Sequence, residues 1–324
     1  MTSIKIFIAA SISLFCLIAM QACTSSMVNL SRWMDRHKAD LSKKSISVGD
    51  HTMVYLDGGK GETIILLHGF GDSKDSWVAF ARPLVKHYRV IIPDLPGFGE
   101  STKKMDASYT IDAQVARLHD FTRKLGLQTF HIAGNSMGGL IAGIYAADYP
   151  KQVLSLGLLD TAGVADREQS VFMAEMARGV NPLLVKKPED FDRLLAFMFF
   201  TPPALPTSVK RYIADQAVEN HDFNLKVFNE LNLGNMLEAR FADIQAKTLV
   251  IWGDTDRVFP VSSAKVIEAG IPGAKAVILE KCGHLPMVEK PGESATLYLD
   301  FLSAARAAAS PIFAFCIQPE PIAA

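Results

Sequence analysis

The chain has 324 residues, 49% of them hydrophobic, and its 33 Lys+Arg nearly balance 34 Asp+Glu, for a net charge of −1. That length and apolar content suit one large domain, or one domain carrying an insertion, with a sizeable core. Without a basic excess there is no electrostatic footprint of nucleic-acid binding, and no Cys/His spacing of the metal-ligating kind is present, so neither a nucleic acid nor a metal is expected.

In chain order, the first feature is IFIAASISLFCLIAM after Lys5, an apolar run of signal-peptide length and short for a membrane span. Residues 1–22 are read as an export signal. By itself the run also fits plain cleavage near Ala22 or an uncleaved anchor. Met20-Gln21-Ala22-Cys23 resembles the lipobox of bacterial lipoproteins, although Met20 and Gln21 depart from its usual Leu and small residue. The resemblance implies cleavage before Cys23, lipid attachment to Cys23, and a membrane-anchored protein of the bacterial cell envelope. Thr24 in place of Asp points, by the same resemblance, to the outer membrane. Without lipidation the protein is expected to be secreted. Of four cysteines, Cys282 and Cys316 remain in the mature chain as candidates for a disulfide.

Residues 23–45 read as a tether, Thr24-Ser25-Ser26, followed by an amphipathic stretch near Leu30 to Leu41. Ile46 to Asp57 reads as a β-hairpin turning at Gly49-Asp50. Thr63–Leu67 and Tyr88–Ile92 are continuous apolar runs, the pattern of parallel strands covered on both faces. Ile111 to Leu125 carries apolar residues at helical spacing and stops at Gly126. A strand at Thr129–Ala133, a helix from Met137 and a strand at Val153–Leu159 follow. Alternation of strands and helices means a βαβ sheet. After Asp160 the rhythm breaks. Val171–Met176, Phe191–Phe200 and Val209–Val218 read as helices, so residues 161–243 are expected to form an inserted helical cap. The core, residues 46–160 and 244–306, resumes with a strand at Thr248–Trp252, a helix at Ser263–Ala269, a strand at Ala276–Leu279 and a helix at Gly292–Ala305. Residues 307–324 are apolar, Pro-interrupted from Pro311, and receive no role.

Gly134-Asn135-Ser136-Met137-Gly138 is a G-x-S-x-G between a predicted strand and a predicted helix. A sharp turn there lifts the Ser136 hydroxyl to where a base can take its proton. Gly134 and Gly138 leave the turn uncrowded, while Gly139, Ala142 and Gly143 let the helix lie close to the sheet. His284 and the acids Asp254 and Asp256 also follow predicted strands, at the sheet edge where open α/β proteins place their sites. His284 is the candidate base. Asp254, Asp256 and, more distantly, Asp160 are candidates for the acid behind it. The N–H groups of Met137 and of Phe70, in His68-Gly69-Phe70-Gly71, are candidates for an oxyanion hole.

LLHGFG at 66–71, DLPGFGES at 94–101, GNSMGG at 134–139, WGDTD at 252–256 and CGHLPMVEKP at 282–291 together resemble the α/β-hydrolase superfamily over about Ile46 to Leu302. The resemblance implies an α/β-hydrolase fold: a mostly parallel central sheet flanked by helices, with an inserted helical cap. Trp-Gly-x-x-Asp spacing then selects Asp256 as the acid, completing Ser136, Asp256 and His284. HGFGDSKDSW and GNSMGGLIAGIYAADYP are similar to monoacylglycerol lipases and bacterial lipases of cold-adapted organisms, which implies hydrolysis of small-molecule or lipid esters with no cofactor. Hydrolases of carbon–carbon bonds in aromatic ring-cleavage products share the same residues and stand as the alternative. A non-catalytic envelope-anchored binding protein is a third reading. Within the cap, Leu194 to Phe200 is too apolar to bury every side chain on one helix face. Phe197, Phe199 and Phe200 are therefore candidates for acyl-chain contact.

Overall fold

The structure is a computed structural model and describes residues 24–165, 167–231 and 234–309. Residues 1–22, where an export signal is expected, Cys23, Cys316 and the end of the tail lie outside the described residues. Chain order runs from α1, residues 24–38, through β1 (Leu41–Val48), β2 (His51–Gly58) and β3 (Thr63–Leu67) to a 3₁₀ turn and α2 (Val78–Leu84). Then come β4 (Arg89–Pro93), α3 (Ile111–Lys124), β5 (Phe130–Asn135), α4 (Met137–Asp148) and β6 (Val153–Leu159). Four helices follow: α5 (Val171–Ala177), α6 (Asp190–Met198), α7 (Thr207–Glu219) and α8 (His221–Glu230). A 3₁₀ turn leads to β7 (Lys247–Gly253), α9 (Ser262–Gly270), β8 (Lys275–Leu279), α10 (Pro286–Glu289) and α11 (Pro291–Ala309).

The eight strands form one sheet in the order β1-β2-β4-β3-β5-β6-β7-β8. β2 pairs antiparallel with β1 and β4, and every other pairing is parallel. The aliphatic runs of β3, β4 and β5 follow from this placement, because helices cover both faces there. Ile65, Leu67, Ile91 and Ile132 meet α3, α4 and α9 on one face. Ile64, Leu66, Val90 and Ile92 meet α2 and α11 on the other. Lying between β5 and the cap side of the molecule, α4 is buried on almost every side, so it is apolar all round rather than amphipathic.

Two expectations near the amino terminus need correction. Thr24-Ser25-Ser26 is the first turn of α1, not a tether, and β1 begins at Leu41, five residues before Ile46. β1 is an edge strand exposed over most of its length. Its Ser and Lys residues suit an edge, where charged side chains block further pairing, and this polarity masked it as a strand. Cys282 is a buried free thiol.

The helices between β6 and β7 lie on the carboxyl-end side of the strands, and their return to the core is pinned at Leu237. Its N–H donates to the Gly163 carbonyl at 2.9 Å, and its side chain is fully buried. A Cβ on Gly143 would meet Leu237 Cδ1 at 2.4 Å. Gly143 thus makes room for the cap's returning strand of chain, not for the sheet.

Candidate active site

Ser136 sits at φ 55°, ψ −121°, between the last residue of β5 and the first of α4. A non-glycine residue at positive φ stores strain, and surrounding structure must hold it there. It is held by its own backbone: its N–H donates to Leu159 O at 3.0 Å, and its carbonyl accepts from Leu140 and Ala162 at 3.1 Å each. The flanking glycines are required. A Cβ on Gly134 would stand 2.2 Å from Gly138 O, and one on Gly138 would stand 2.4 Å from the carbonyls of Leu67 and His68.

The β3 loop passes directly over this turn, with a Cβ on Gly69 falling 3.2 Å from that of Ser136. His68 fixes the loop. Its Nε2 accepts from Leu95 N–H at 2.9 Å, which leaves Nδ1 as the protonated nitrogen, donating to Gly69 O at 2.7 Å. Phe70 follows, its ring edge-on to Phe98 and Phe228. Met137 is the first residue of α4, where an N–H has no partner within the helix.

His284 is buried, and its Nδ1 lies 2.8 Å from Asp256 Oδ2. Asp256 is itself fixed, its Oδ1 accepting from Val258 N–H at 2.7 Å and Phe259 N–H at 3.3 Å. With an acceptor at Nδ1, the imidazole carries its proton there and keeps Nε2 free to accept one. Phe259 covers the ring at a centroid distance of 5.6 Å. Asp254 points elsewhere: it is exposed and accepts from Cys282 N–H at 3.2 Å. Asp160 is closer than its place as a distant third candidate suggested. It is fully buried just after β6, and a carboxyl oxygen of it, a carboxyl oxygen of Asp256 and an imidazole nitrogen of His284 lie within 4.8 Å of one another. Burial and the Asp256 charge push its carboxyl well above the usual range.

Sequence reading missed three supports. Asn135 Nδ2 donates to Leu159 O at 3.1 Å and to His284 O at 2.9 Å, tying β5 to the histidine loop. His284 N–H donates to Met198 O at 2.8 Å, so the end of α6 is a backbone seat for the histidine. Glu289 accepts from Gly283 N–H at 2.8 Å, Phe200 N–H at 3.2 Å and Thr201 N–H at 2.6 Å, joining cap and core. No periodicity marks such contacts. Only a Glu five residues after a candidate histidine, in an otherwise apolar segment, hints at one. Of the cap phenylalanines, Phe197 and Phe199 are buried and Phe200 is 47% exposed.

Residues 62–291 match the model of the alpha/beta hydrolase fold family. The chain belongs to that family. It is 41% identical to Lipase 1 of Psychrobacter immobilis over 278 residues, covering 83% of this chain and 86% of the relative. It is 32% identical to a monoacylglycerol lipase of Xenopus laevis, covering 86% and 87% of the two chains. Among solved structures, a membrane phospholipase A described as a bacterial virulence factor superposes with a TM-score of 0.87 at 42% identity, covering 93% of this chain and 99% of that one. A strained serine, an imidazole with its acid partner, and backbone N–H groups around one sheet edge are what acyl transfer to a serine requires.

Proposed function

We propose that the protein hydrolyses carboxylic esters, with acylglycerols or related lipid esters as substrates. The chain is an enzyme of the carboxylic ester hydrolase class, in keeping with relatives named lipase and monoacylglycerol lipase. His284 Nε2 takes the Ser136 proton as Oγ attacks the ester carbonyl. The carbonyl oxygen becomes an oxyanion, bound by the N–H groups of Phe70 and Met137. The intermediate collapses, the C–O bond breaks, and His284 gives its proton to the departing alcohol. Water then attacks the acyl-enzyme by the same route and releases the acid. Asp256 holds the imidazole tautomer and stabilises its charged form. The observation that carries this reading is the buried 2.8 Å contact of Asp256 with His284, behind a sheet edge that presents Ser136 at positive φ.

The lipid part of the proposal draws on the amino terminus. α1 exposes Met27, Leu30, Trp33 and Met34, at 64%, 54%, 58% and 40%, directly after the apolar export segment. Such a stripe suits the surface of a bilayer. We read Cys23 as lipidated, anchoring the enzyme in the cell envelope with its substrates beside it. Among the described residues no helix is long and apolar enough to cross a membrane. Purified mature protein should be assayed on p-nitrophenyl esters of rising chain length, mono- and triacylglycerols, a phospholipid and a ring-cleavage dienone. Turnover of the dienone alone overturns the ester reading. For the anchor, Cys23→Ser should move the protein from the membrane fraction to the soluble one. An unchanged distribution would reject lipidation.

A further inference from the structure

Asp160 is held in an unusual way for a residue the proposed chemistry does not use. It is a non-glycine residue at φ 42°, immediately after β6. Its N–H donates to Ile251 O at 3.1 Å, and its Oδ1 accepts from Gly253 N–H at 2.9 Å. The remaining oxygen, Oδ2, is buried and accepts no hydrogen bond from a donor among the described residues. What stands nearby is Asp256, whose own Oδ2 is on His284. Two carboxylates in a dry site a few ångströms apart cannot both stay ionised beside a neutral imidazole. Asp256 accepts two backbone N–H bonds and one from the imidazole, which favour its charged form. Asp160 accepts one.

We infer that Asp160 keeps a proton on Oδ2 and donates it to the Asp256 carboxylate, making it a positioning residue that acts on His284 through Asp256. The consequence is electrostatic. A hydrogen bond into Asp256 spreads its charge and weakens its hold on the imidazolium, so that His284 releases its proton more readily and serves as a base at lower pH. The other titratable groups around Asp160 are Cys282 and His284, on the loop after β8, and Glu289 of α10. The Cys282 thiol is pushed up by burial and stays neutral, and Glu289 is occupied by the N–H groups of Gly283, Phe200 and Thr201. Neither supplies a positive charge that would let Asp160 ionise. The step moves no electrons and needs no co-reactant.

This inference rests on the proposed hydrolase reading for its kinetic test, but not for its thermal one. Asp160→Asn replaces the donor with an amide N–H and keeps an oxygen for Gly253. It should retain ester hydrolysis within a few-fold and leave the acid limb of the pH–rate profile where it is. Asp160→Ala removes the donor. Its rate should fall about tenfold, the scale of one hydrogen bond to a charged group, and its acid limb should move to higher pH. Movement of either acid limb to lower pH would show that Asp160 is ionised. Loss in Asp160→Asn as deep as in Asp256→Asn would make Asp160 the acid partner. Both results overturn the inference, as does an Asp160→Ala profile identical to wild type.

The thermal test needs no substrate. A carboxyl that is protonated when folded and ionised when unfolded makes the unfolded state bind fewer protons, so stability falls as pH rises above the ordinary carboxyl range. Asp160→Asn lacks this term. Its melting temperature should rise relative to wild type steadily from pH 5 to pH 8, and a constant difference would overturn the inference. Dialysis against EDTA should leave the wild-type rate unchanged. Loss restored by a divalent ion would mean that the three side chains hold a metal instead.

Discussion

The strands β3 to β8 and the cap helices α5 to α8 hold their residues by different means. At the sheet edge each functional side chain follows a strand whose register is set by neighbours on one or both sides, and the loops are closed by further hydrogen bonds, as when Thr255 N–H and Oγ1 both donate to Cys282 O at 3.0 and 2.7 Å. The cap has a small core of its own, built on the buried Val185, Phe191 and Ala214. It reaches the site through the backbone at Met198 and through Phe197, which packs into the main core. A strand end is therefore a place for groups that must not move, and a helical insertion a place for contacts that can vary with substrate. Substitutions at the sheet edge should abolish chemistry while leaving the fold, and substitutions in the cap should alter stability or selectivity while leaving chemistry.

The largest effect is expected at Ser136. Ser136→Ala should lower ester hydrolysis by roughly 10⁶-fold, as loss of the nucleophile does in a well-studied serine hydrolase, with an unchanged melting temperature. Retention of a tenth of the wild-type rate would remove Ser136 from the chemistry. Next is Asp256→Asn, which should cost ~10⁴-fold by leaving the imidazole in the wrong tautomer. Asp254→Asn, exposed and away from His284, should stay close to wild type. A reversed order in kcat/KM would transfer the acid role.

How much of this could be read beforehand differs in the same way. The parallel strands were legible because strands covered on both faces must be apolar throughout. Ser136, Asp256 and His284 could be read as candidates because each follows the end of a parallel strand, Ser136 between Gly134 and Gly138 and His284 directly after Gly283. The sequence pattern of β1 starts late, at Ile46 rather than Leu41, because an edge strand has no such requirement. The seam at Glu289 and the carbonyl of Met198 were not legible, since backbone acceptors contributed by a distant helix leave no pattern in sequence. Asp160 was legible only as a strand-end acid. What singles it out is that no donor among the described residues reaches Oδ2, a property of three-dimensional packing.

The cap is tested by a pair of phenylalanines. Phe197 is 7% exposed within the main core, whereas Phe200 is 47% exposed. Phe197→Ala should destabilise the protein by about 3–5 kcal/mol, the usual range for a buried Phe. Phe200→Ala should change stability by less than about 0.5 kcal/mol, as surface substitutions do. If Phe200 touches acyl chains, its loss should show in kcat/KM for octanoyl and palmitoyl esters and spare acetyl esters. Equal loss on all three would assign it no acyl contact. At the seam, Glu289→Ala strands three N–H groups and should cost about 1–3 kcal/mol. A fall in kcat would accompany it as the histidine loop loosens, whereas Glu289→Ala with unchanged kcat and stability would make the seam dispensable.

A small effect, confined to acid pH, is expected where β1 joins the core. Lys74, almost fully buried, donates to Asp94 at 2.7 Å and to Glu100 at 2.8 Å, and Lys43 reaches Glu100 from β1 at 2.6 Å. Partial burial opposes ionisation of Glu100, but hydrogen bonds from Lys43 and Lys74 outweigh it and hold the carboxyl at about 2. A carboxylate depressed in the folded state stabilises the protein above its unfolded value, and that contribution is lost as pH falls through the folded one. The loss should run from the ordinary glutamate value near 4.5 down to about 2. Because Glu100 is 42% exposed, solvent screening limits the effect to at most about 1 kcal/mol. Glu100→Gln should flatten this part of the stability–pH curve and leave ester hydrolysis at neutral pH untouched. A curve as steep as wild type between those pH values would place the acid sensitivity in other carboxylates, with Asp57, held below its ordinary range by Arg89 and Lys44 despite burial, as the next to substitute.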